Sequence, residues 1–600
     1  MPTLRPRARV VAVATGILLA GLNAVGQVRP YRPVTDAMLA NPDQNEWIAF
    51  RRTQDGQGYS PLNQINRQNA HQLTLVWAWT MRAGGNEGTP MVHDGIMFMP
   101  NPGGGVQTLD AASGELLWEF RTPRGTSRAG MPGQFADQGD TPSMQPMKNV
   151  ALYGDKVFTN TGSSTYALDA RTGKVAWNVM VNPIQRGFRF TTGPIVAKGK
   201  IVTATAGCER YKKESCDITA LDPETGKALW RTSMVAGPDE PGGDSWGGLP
   251  MIFRAGTGSW MAGSYDPATN LIYWGTAQAK PWARFQRGTD GDAKWSNATL
   301  ALDADTGKIV WGYQHIPGET HDQDETFERV LIDIDGRSSV FSMGKAGVLW
   351  ELDRKTGAFR AAHDLGYQTL FTINPKTGQV TYRPEVIPQI GVPVTFCPGT
   401  GGVKNWRAMA YHPETQAVYI PLGAISCLTG TFGRVPEQVE GGGGTGGVFL
   451  RKYSFHPKSP DGLGEFVAMD VRTGRVLWRN RTREVMSSAA LTTGGGLALV
   501  GNADRTLYIH DVTSGKILYQ AKLPNPPKGF ITTYSIGGRQ YVVVPTGGGG
   551  GGDPAEVIDP RDAAQGMVRG GSNMDLTPER RGKAAQAANG LFVFALPANR

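Results

Sequence analysis

The chain has 600 residues, with 80 Gly, 40 Pro and a formal net charge of +9. The basic excess is mild and dispersed, with no Lys/Arg run beyond short pairs, so composition gives no nucleic-acid signature. Many glycines and few charges fit a chain of tight turns, and a closed repeat fold is compatible with this length as a single domain.

In chain order, Arg5, Arg7 and Arg9 precede an apolar run from Val10 to Val25, and Ala24-Val25-Gly26 suits a signal-peptidase site. Residues 1–26 read as a secretory signal peptide, and no lipobox cysteine follows. The expectation is a periplasmic protein starting near Gln27, with a mature charge of about +6 and residues 27–600 forming one domain. No other segment approaches a membrane span.

A ten-residue unit then recurs: LDARTGKVAW at Leu168–Trp177, LDPETGKALW at Leu221–Trp230 and LDADTGKIVW at Leu302–Trp311. Looser copies end at Trp118, Phe359, Trp478 and Tyr519, and LTLVWAW around Trp77 keeps only the aromatic. The unit reads as strand, tight turn, strand. The Asp side chain bonds backbone two residues on, and the Gly supplies a positive φ. The terminal aromatic is expected to lie buried between neighbouring units. Eight such units predict an all-β, eight-bladed β-propeller with tryptophan-docking motifs, closed by a final strand at Leu591–Leu596.

Between the units lie the candidate chemical residues. Glu87, beside glycines in GGNEGTP, reads on local pattern alone as a solvated turn carboxylate. The polar, irregular stretch Arg121–Met147 reads as a surface excursion. Glu209 ends the strand-end sequence AGCE. The four cysteines, Cys208, Cys216, Cys397 and Cys427, allow three pairings; Cys208–Cys216 and Cys397–Cys427 each close a short loop and leave no thiol over. No CxxCH is present for covalent haem, and no CxxC zinc spacing. The Gly- and Trp-rich stretch Pro238–Trp282 reads either as core packing or as an aromatic wall over a flat ligand. The densest acidic cluster is HIPGETHDQDETFERV, with Glu319, Asp322, Asp324 and Glu325. It is either an acidic surface loop or, with Asp322 and Asp324 on one side of extended backbone, a place for a hard cation. Glycine-rich loops occupy Glu440–Gly447 and Gly547–Gly552, and Ser572–Asn589 reads as a polar helix.

The repeated LDxxTGxxxW unit resembles the propeller of the quinoprotein alcohol dehydrogenases, the methanol/ethanol dehydrogenase family that uses pyrroloquinoline quinone (PQQ), over essentially the whole mature chain. The resemblance implies metal ligands at Glu209 (in AGCE), Gln278 (in GTAQAKPW), Asp322 (in the HDxxD-like motif) and Asp324, the last at the position of an additional Asp in lanthanide-dependent members. It implies quinone contacts at Glu87, Lys148, Thr191, Gly207, Cys208, Trp260 and Lys345, with Asp322 as general base and Lys345 (in KAGVLW) donating to the quinone. The cofactors implied are PQQ with calcium or a lanthanide ion. The implied reaction oxidises a primary or bulky secondary alcohol, with electrons leaving to a c-type cytochrome and the protein a monomer or homodimer. Two departures stand out: Gln replaces the usual Asn ligand, and the vicinal cysteine pair over the quinone is absent. The alternatives are a sugar- or polymer-alcohol quinoprotein, and a non-catalytic propeller scaffold.

Overall fold

The computed structural model describes residues 30–122, 146–446, 448–547 and 589–598. The expected signal peptide, most of the Arg121–Met147 excursion, most of the second glycine-rich loop and nearly all of the expected polar helix lie outside the described residues. The end of that excursion is no surface loop: Pro146 and Met147 are buried.

The repeat turns form for the reason their sequence supplies. Asp169 Oδ1 accepts from the backbone N–H groups of Arg171 and Thr172 at 3.1 and 2.9 Å and from the Thr172 hydroxyl at 2.8 Å. Gly173 then takes φ +71°, in the left-handed region that glycine enters without steric cost. The same carboxylate cap recurs at Asp222, Asp303, Asp353, Asp470 and Asp511.

Among the described residues, eight sheets contain four or more antiparallel strands. Sheets 1 to 7 span residues 91–120, 151–180, 195–233, 264–314, 330–364, 410–482 and 491–522 in turn. Sheet 8 combines Thr532–Ile536, Arg539–Thr546 and Gly590–Ala595 with Thr74–Thr80 from near the other end of the described chain. The expected final strand therefore closes against the N-terminal one, with Val593 opposite Trp77. Inner strands such as Lys156–Thr161 are buried almost throughout, whereas outer strands such as Val175–Met180 alternate between exposed and half-buried positions. This is the pattern of sheets packed face to face, with only the outer edge in solvent.

The aromatics link successive sheets. Trp118 packs on Gly173, Trp177 on Gly226, Trp230 on Gly307, Trp311 on Gly357, Trp478 on Gly515, and Trp77 of sheet 8 returns to Gly114 of sheet 1. The indole N–H groups of Trp118, Trp177, Trp230 and Trp478 donate to carbonyls of the next turn at 2.9 to 3.1 Å. The fifth unit corrects the sequence reading. In each intact unit the Trp stands four residues after the Gly, and in sheet 5 that position is Ala361, opposite Glu351. Phe359 lies two residues earlier, against Gly378 of an inserted hairpin, and His363 fills the space over Gly474 of sheet 6.

Two further features frame the molecule. Insertions around sheet 6 supply a three-stranded sheet (Pro393–Phe396, Ser426–Phe432, Val448–Phe455), joined across by the Cys397–Cys427 disulfide. Residues 47–60 cross the inner strands of the ring like a plug. Trp47 pairs with Val92, Gln54 Nε2 donates to Val196 O, and the amides of Tyr265, Leu331, Tyr411 and Thr492 donate to carbonyls of the plug. Arg51, fully buried, donates to Met409 O and Ala490 O at 2.9 and 2.8 Å. Plug residues Ile48–Arg51, Thr53, Gln54 and Gly56 help line a mainly apolar pocket, to which none of the candidate site residues contributes.

Candidate active site

The acidic cluster is not a surface loop. The segment joining sheets 4 and 5 is buried, with Glu319, Asp324 and Glu325 at 1 % exposure or less and Asp322 at 9 %. Asp322 adopts φ +73°, an uncommon conformation for a non-glycine residue that is retained where the surroundings fix it. Its amide donates to Glu319 Oε2 at 3.2 Å. Lys345, in the turn between two strands of sheet 5, brings the two aspartates together: its Nζ lies 2.8 Å from Asp324 Oδ2 and 3.3 Å from Asp322 Oδ2. The expected shared side of Asp322 and Asp324 is thus realised around one ammonium.

Gln278 follows an inner strand of sheet 4 and enters a two-stranded ribbon, Ala255–Gly256 with Ala279–Lys280. Its side-chain amide donates to Asp322 Oδ1 and its backbone N–H to Asp324 Oδ1 at 3.2 Å. Its Oε1 is buried and has no hydrogen-bond partner. Glu209 stands in the loop braced by the Cys208–Cys216 disulfide and forms a two-point ion pair with Arg189 at 2.7 and 3.4 Å. The Gly256 amide donates to Cys208 O, the Ser259 amide to Thr205 O and the Thr257 amide to Gln278 O, so the segment before Trp260 runs between the segments that carry Glu209 and Gln278. Gly207 takes φ +92°, and a Cβ there would collide with Gly187. Trp260 is half-buried and meets Phe327 edge to face at a centroid distance of 6.4 Å.

A second group forms around Lys148. Its Nζ pairs with Glu87 Oε2 at 2.7 Å and donates to Thr191 O at 3.3 Å, both charges being buried. The solvated reading of Glu87 is therefore wrong: its partner, 61 residues on, neutralises it in the interior. Thr191 Oγ1 is buried without a partner. Thr191 lies two residues beyond Arg189, whose backbone pairs with Ala206, and this joins the two groups along one segment.

Burial raises Asp322 to about 6, against the pull of Lys345 and Lys280 and helped by Asp324. Burial likewise raises Glu319 to about 7 and Glu325 to about 8. Burial acts in the same direction on Glu209, but Arg189 and, more weakly, Lys280 outweigh it and hold that carboxyl near 2.

Four features escaped the sequence reading. Arg189 holds Glu209, and Glu319 anchors the Asp322 backbone. Lys280 Nζ lies 3.6 Å from Asp322 Oδ1. Gln278 and Lys280 stand two residues apart, as do Arg189 and Thr191, and that spacing was the available signal. The fourth is the glycine-rich loop, which pairs with the Glu209–Tyr211 segment: the Gly444 amide donates to Glu209 O, the Gly441 amide to Tyr211 O, and the Tyr211 amide to Gly442 O.

Of the expected ligands, Gln278, Asp322 and Asp324 come together and offer oxygen atoms suited to a hard cation, with Gln278 Oε1 left without a partner, whereas the Glu209 carboxylate is engaged by Arg189. The residues present fit such a metal. The buried Lys148, with the half-buried Thr191 and Trp260, offers cationic, polar and planar contacts of the kind a flat anionic cofactor needs.

Residues 47–359 and 372–542 match the family model for the PQQ glucose/ethanol/alcohol dehydrogenase β-propeller domain. The dehydrogenase subunit of the quinone alcohol dehydrogenase of Gluconacetobacter polyoxogenes is 30% identical over 549 residues, 85% of this chain and 72% of that protein. Subunit 1 of the methanol dehydrogenase (cytochrome c) of Methylobacterium organophilum is 29% identical over 598 residues, 93% of this chain and 92% of its own length. A solved europium-containing methanol dehydrogenase superposes with a TM-score of 0.80 at 25% identity, over 94% of this chain and all of that one. The chain belongs to the PQQ β-propeller family of quinoprotein alcohol dehydrogenases.

Proposed function

We propose that this protein is a periplasmic, eight-bladed quinoprotein that oxidises a primary or bulky secondary alcohol and passes the electrons to a c-type cytochrome. The eight sheets are its blades, and the glycine-to-tryptophan contacts are its docking motifs. The observation that carries the reading is the buried meeting of Asp322, Asp324 and Gln278 around Lys345. When bound, PQQ supplies the hydride acceptor and the metal a Lewis acid. Glu209, Gln278, Asp322 and Asp324 would hold a calcium or lanthanide ion, and Glu87, Lys148, Thr191, Gly207, Cys208 and Trp260 would line the quinone.

The chain's own residues supply proton transfer and positioning. Asp322 accepts the proton of the substrate hydroxyl as general base. The Gln278 amide fixes the direction of its carboxylate, and Glu319 fixes its backbone. Lys345, restrained by Asp324, would offer its cation to negative charge on a bound acceptor. The Cys208–Cys216 loop, backed by the glycine-rich segment paired to it, would cover the face left open by the missing vicinal cysteine pair.

The test is dye-linked alcohol oxidation by the purified protein with PQQ and either calcium or lanthanum, across small primary and bulky secondary alcohols, with quinone binding read by absorbance. Asp322→Asn is expected to lower turnover by at least about a thousandfold while quinone binding persists. Unchanged turnover in that variant would remove Asp322 as the base, and absence of quinone binding with either ion would remove the enzyme reading.

A further inference from the structure

The three carboxylates of the candidate metal site are matched by three cations. Glu209 pairs with Arg189, Asp324 with Lys345, and Asp322 with both Lys345 and Lys280. Arg189 approaches Glu209, and Lys345 occupies the space shared by the aspartates. Lys280 is different in kind. It sits two residues after Gln278 on the same short ribbon, it is buried, and its Nζ lies 3.6 Å from Asp322 Oδ1. That oxygen also receives the Gln278 amide. The ammonium rests 5.3 Å over the Trp282 ring, so its stem is packed in place.

A metal ion held by Gln278 and Asp322 must therefore enter against a resident cation, since Lys280 faces Asp322 Oδ1 and Lys345 faces Oδ2. Two cations cannot share one carboxylate oxygen in a buried site without strong repulsion, which grows with the charge of the ion. Once displaced from Asp322, the ammonium retains the Trp282 face and the neighbourhood of Glu209, itself a candidate ligand.

We propose that Lys280 is a resident counter-cation of the metal site: it neutralises Asp322 in the metal-free protein, competes with the incoming ion, and sets ion preference against trivalent cations. The proposal rests on the assignment of Gln278 and Asp322 as metal ligands. It makes Lys280 a specificity-determining residue that opposes the additional charge of Asp324.

The experiment is calorimetric titration of calcium chloride and of lanthanum chloride into the full chain without quinone, for wild type, Lys280→Met, Lys280→Gln and Lys280→Arg. The neutral variants are expected to bind calcium at least about tenfold more tightly than wild type and lanthanum by a larger factor, since the repulsion scales with ion charge. Lys280→Arg is expected to stay close to wild type. As a readout independent of ion affinity, the metal-free midpoint of thermal unfolding should fall in Lys280→Met and recover on addition of the ion. Binding by the neutral variants alone would also support the competition. Equal or weaker binding in folded neutral variants would overturn the role of Lys280 and leave the metal site standing. Absence of binding in all four proteins would overturn both.

Discussion

Glu325 makes the energetic cost of this buried acidic segment measurable. Its side chain is fully buried, close to Arg329, Lys404 and Asp324, and burial raises it from 4.5 to about 8 despite the two cations. The native protein thus keeps a proton that the unfolded chain releases near pH 4.5. The contribution to stability is complete below that pH and is lost as pH rises through 8. Three and a half units at 1.36 kcal/mol each set about 5 kcal/mol as the upper size of this loss, reduced in practice by relaxation and water entry around the ionised group. Glu325→Gln, which imitates the protonated acid, should remove this share of the pH dependence and leave those of Glu319 and Asp322. The assay is urea denaturation of metal-free wild type and variant at pH 5, 6, 7 and 8. Buried His321, lowered to about 4, acts oppositely, losing stability as pH falls from 6.5, so the difference between variant and wild type is the informative quantity. That difference should favour the variant increasingly towards pH 8 by several kcal/mol. A difference that stays constant across the series would refute a protonated Glu325.

Two further outcomes follow from the ring contacts and the braced loop. Gly226→Ala places a Cβ 2.7 Å from the Trp177 ring at φ +72° and should destabilise by about 2 to 4 kcal/mol, combining left-handed strain with overpacking; Gly336→Ala, at the same φ with open space around it, should lose only the strain. Replacing Cys208 and Cys216 by Ser opens a bridge of sequence separation 8, for an expected loss of about 2 to 3 kcal/mol by chain entropy. Because that loop carries Glu209, ion affinity measured by titration should fall as well, whereas loss of stability alone would make the brace merely structural.

The repeat was legible because it is local. An Asp three residues before a Thr and four before a Gly dictates its own turn, and a Trp four residues later dictates the next contact. The same locality misled at sheet 5, where the unit has lost its Trp. Phe359 was the nearest aromatic, but the bulge that ends each repeat turn puts Ala361 in the docking register. His363, which replaces the missing ring over Gly474, carries no sequence mark of that role. The site divides in the same way. Asp322 and Asp324 could be placed on one side from spacing alone, and both disulfides from loop closure. Whether Glu87 or the acidic segment was buried could not be read locally, because the groups that permit burial, Lys148, Lys345, Lys280 and Lys404, are remote in sequence or lie in unrelated motifs.

The plug of residues 47–60 and the mixed composition of sheet 8 have a consequence for how the molecule is made. One stretch near the start of the described chain touches the inner strands of six sheets, and another supplies the outer strand of a sheet whose remaining strands begin at Thr532. The plug gains its partners piecemeal, from Val92 early to Thr492 late, and Thr74–Thr80 must wait for Gly590–Ala595. Before then sheet 8 lacks members, and the inner strands facing the axis have unsatisfied amides. Assembly is therefore late and collective, dominated by pairings across several hundred residues, and intermediates expose strand edges open to intermolecular pairing. A shortened chain lacking Gly590–Ala595 would retain seven sheets with their native local sequences and still present Thr74–Thr80 as an unpaired template for association.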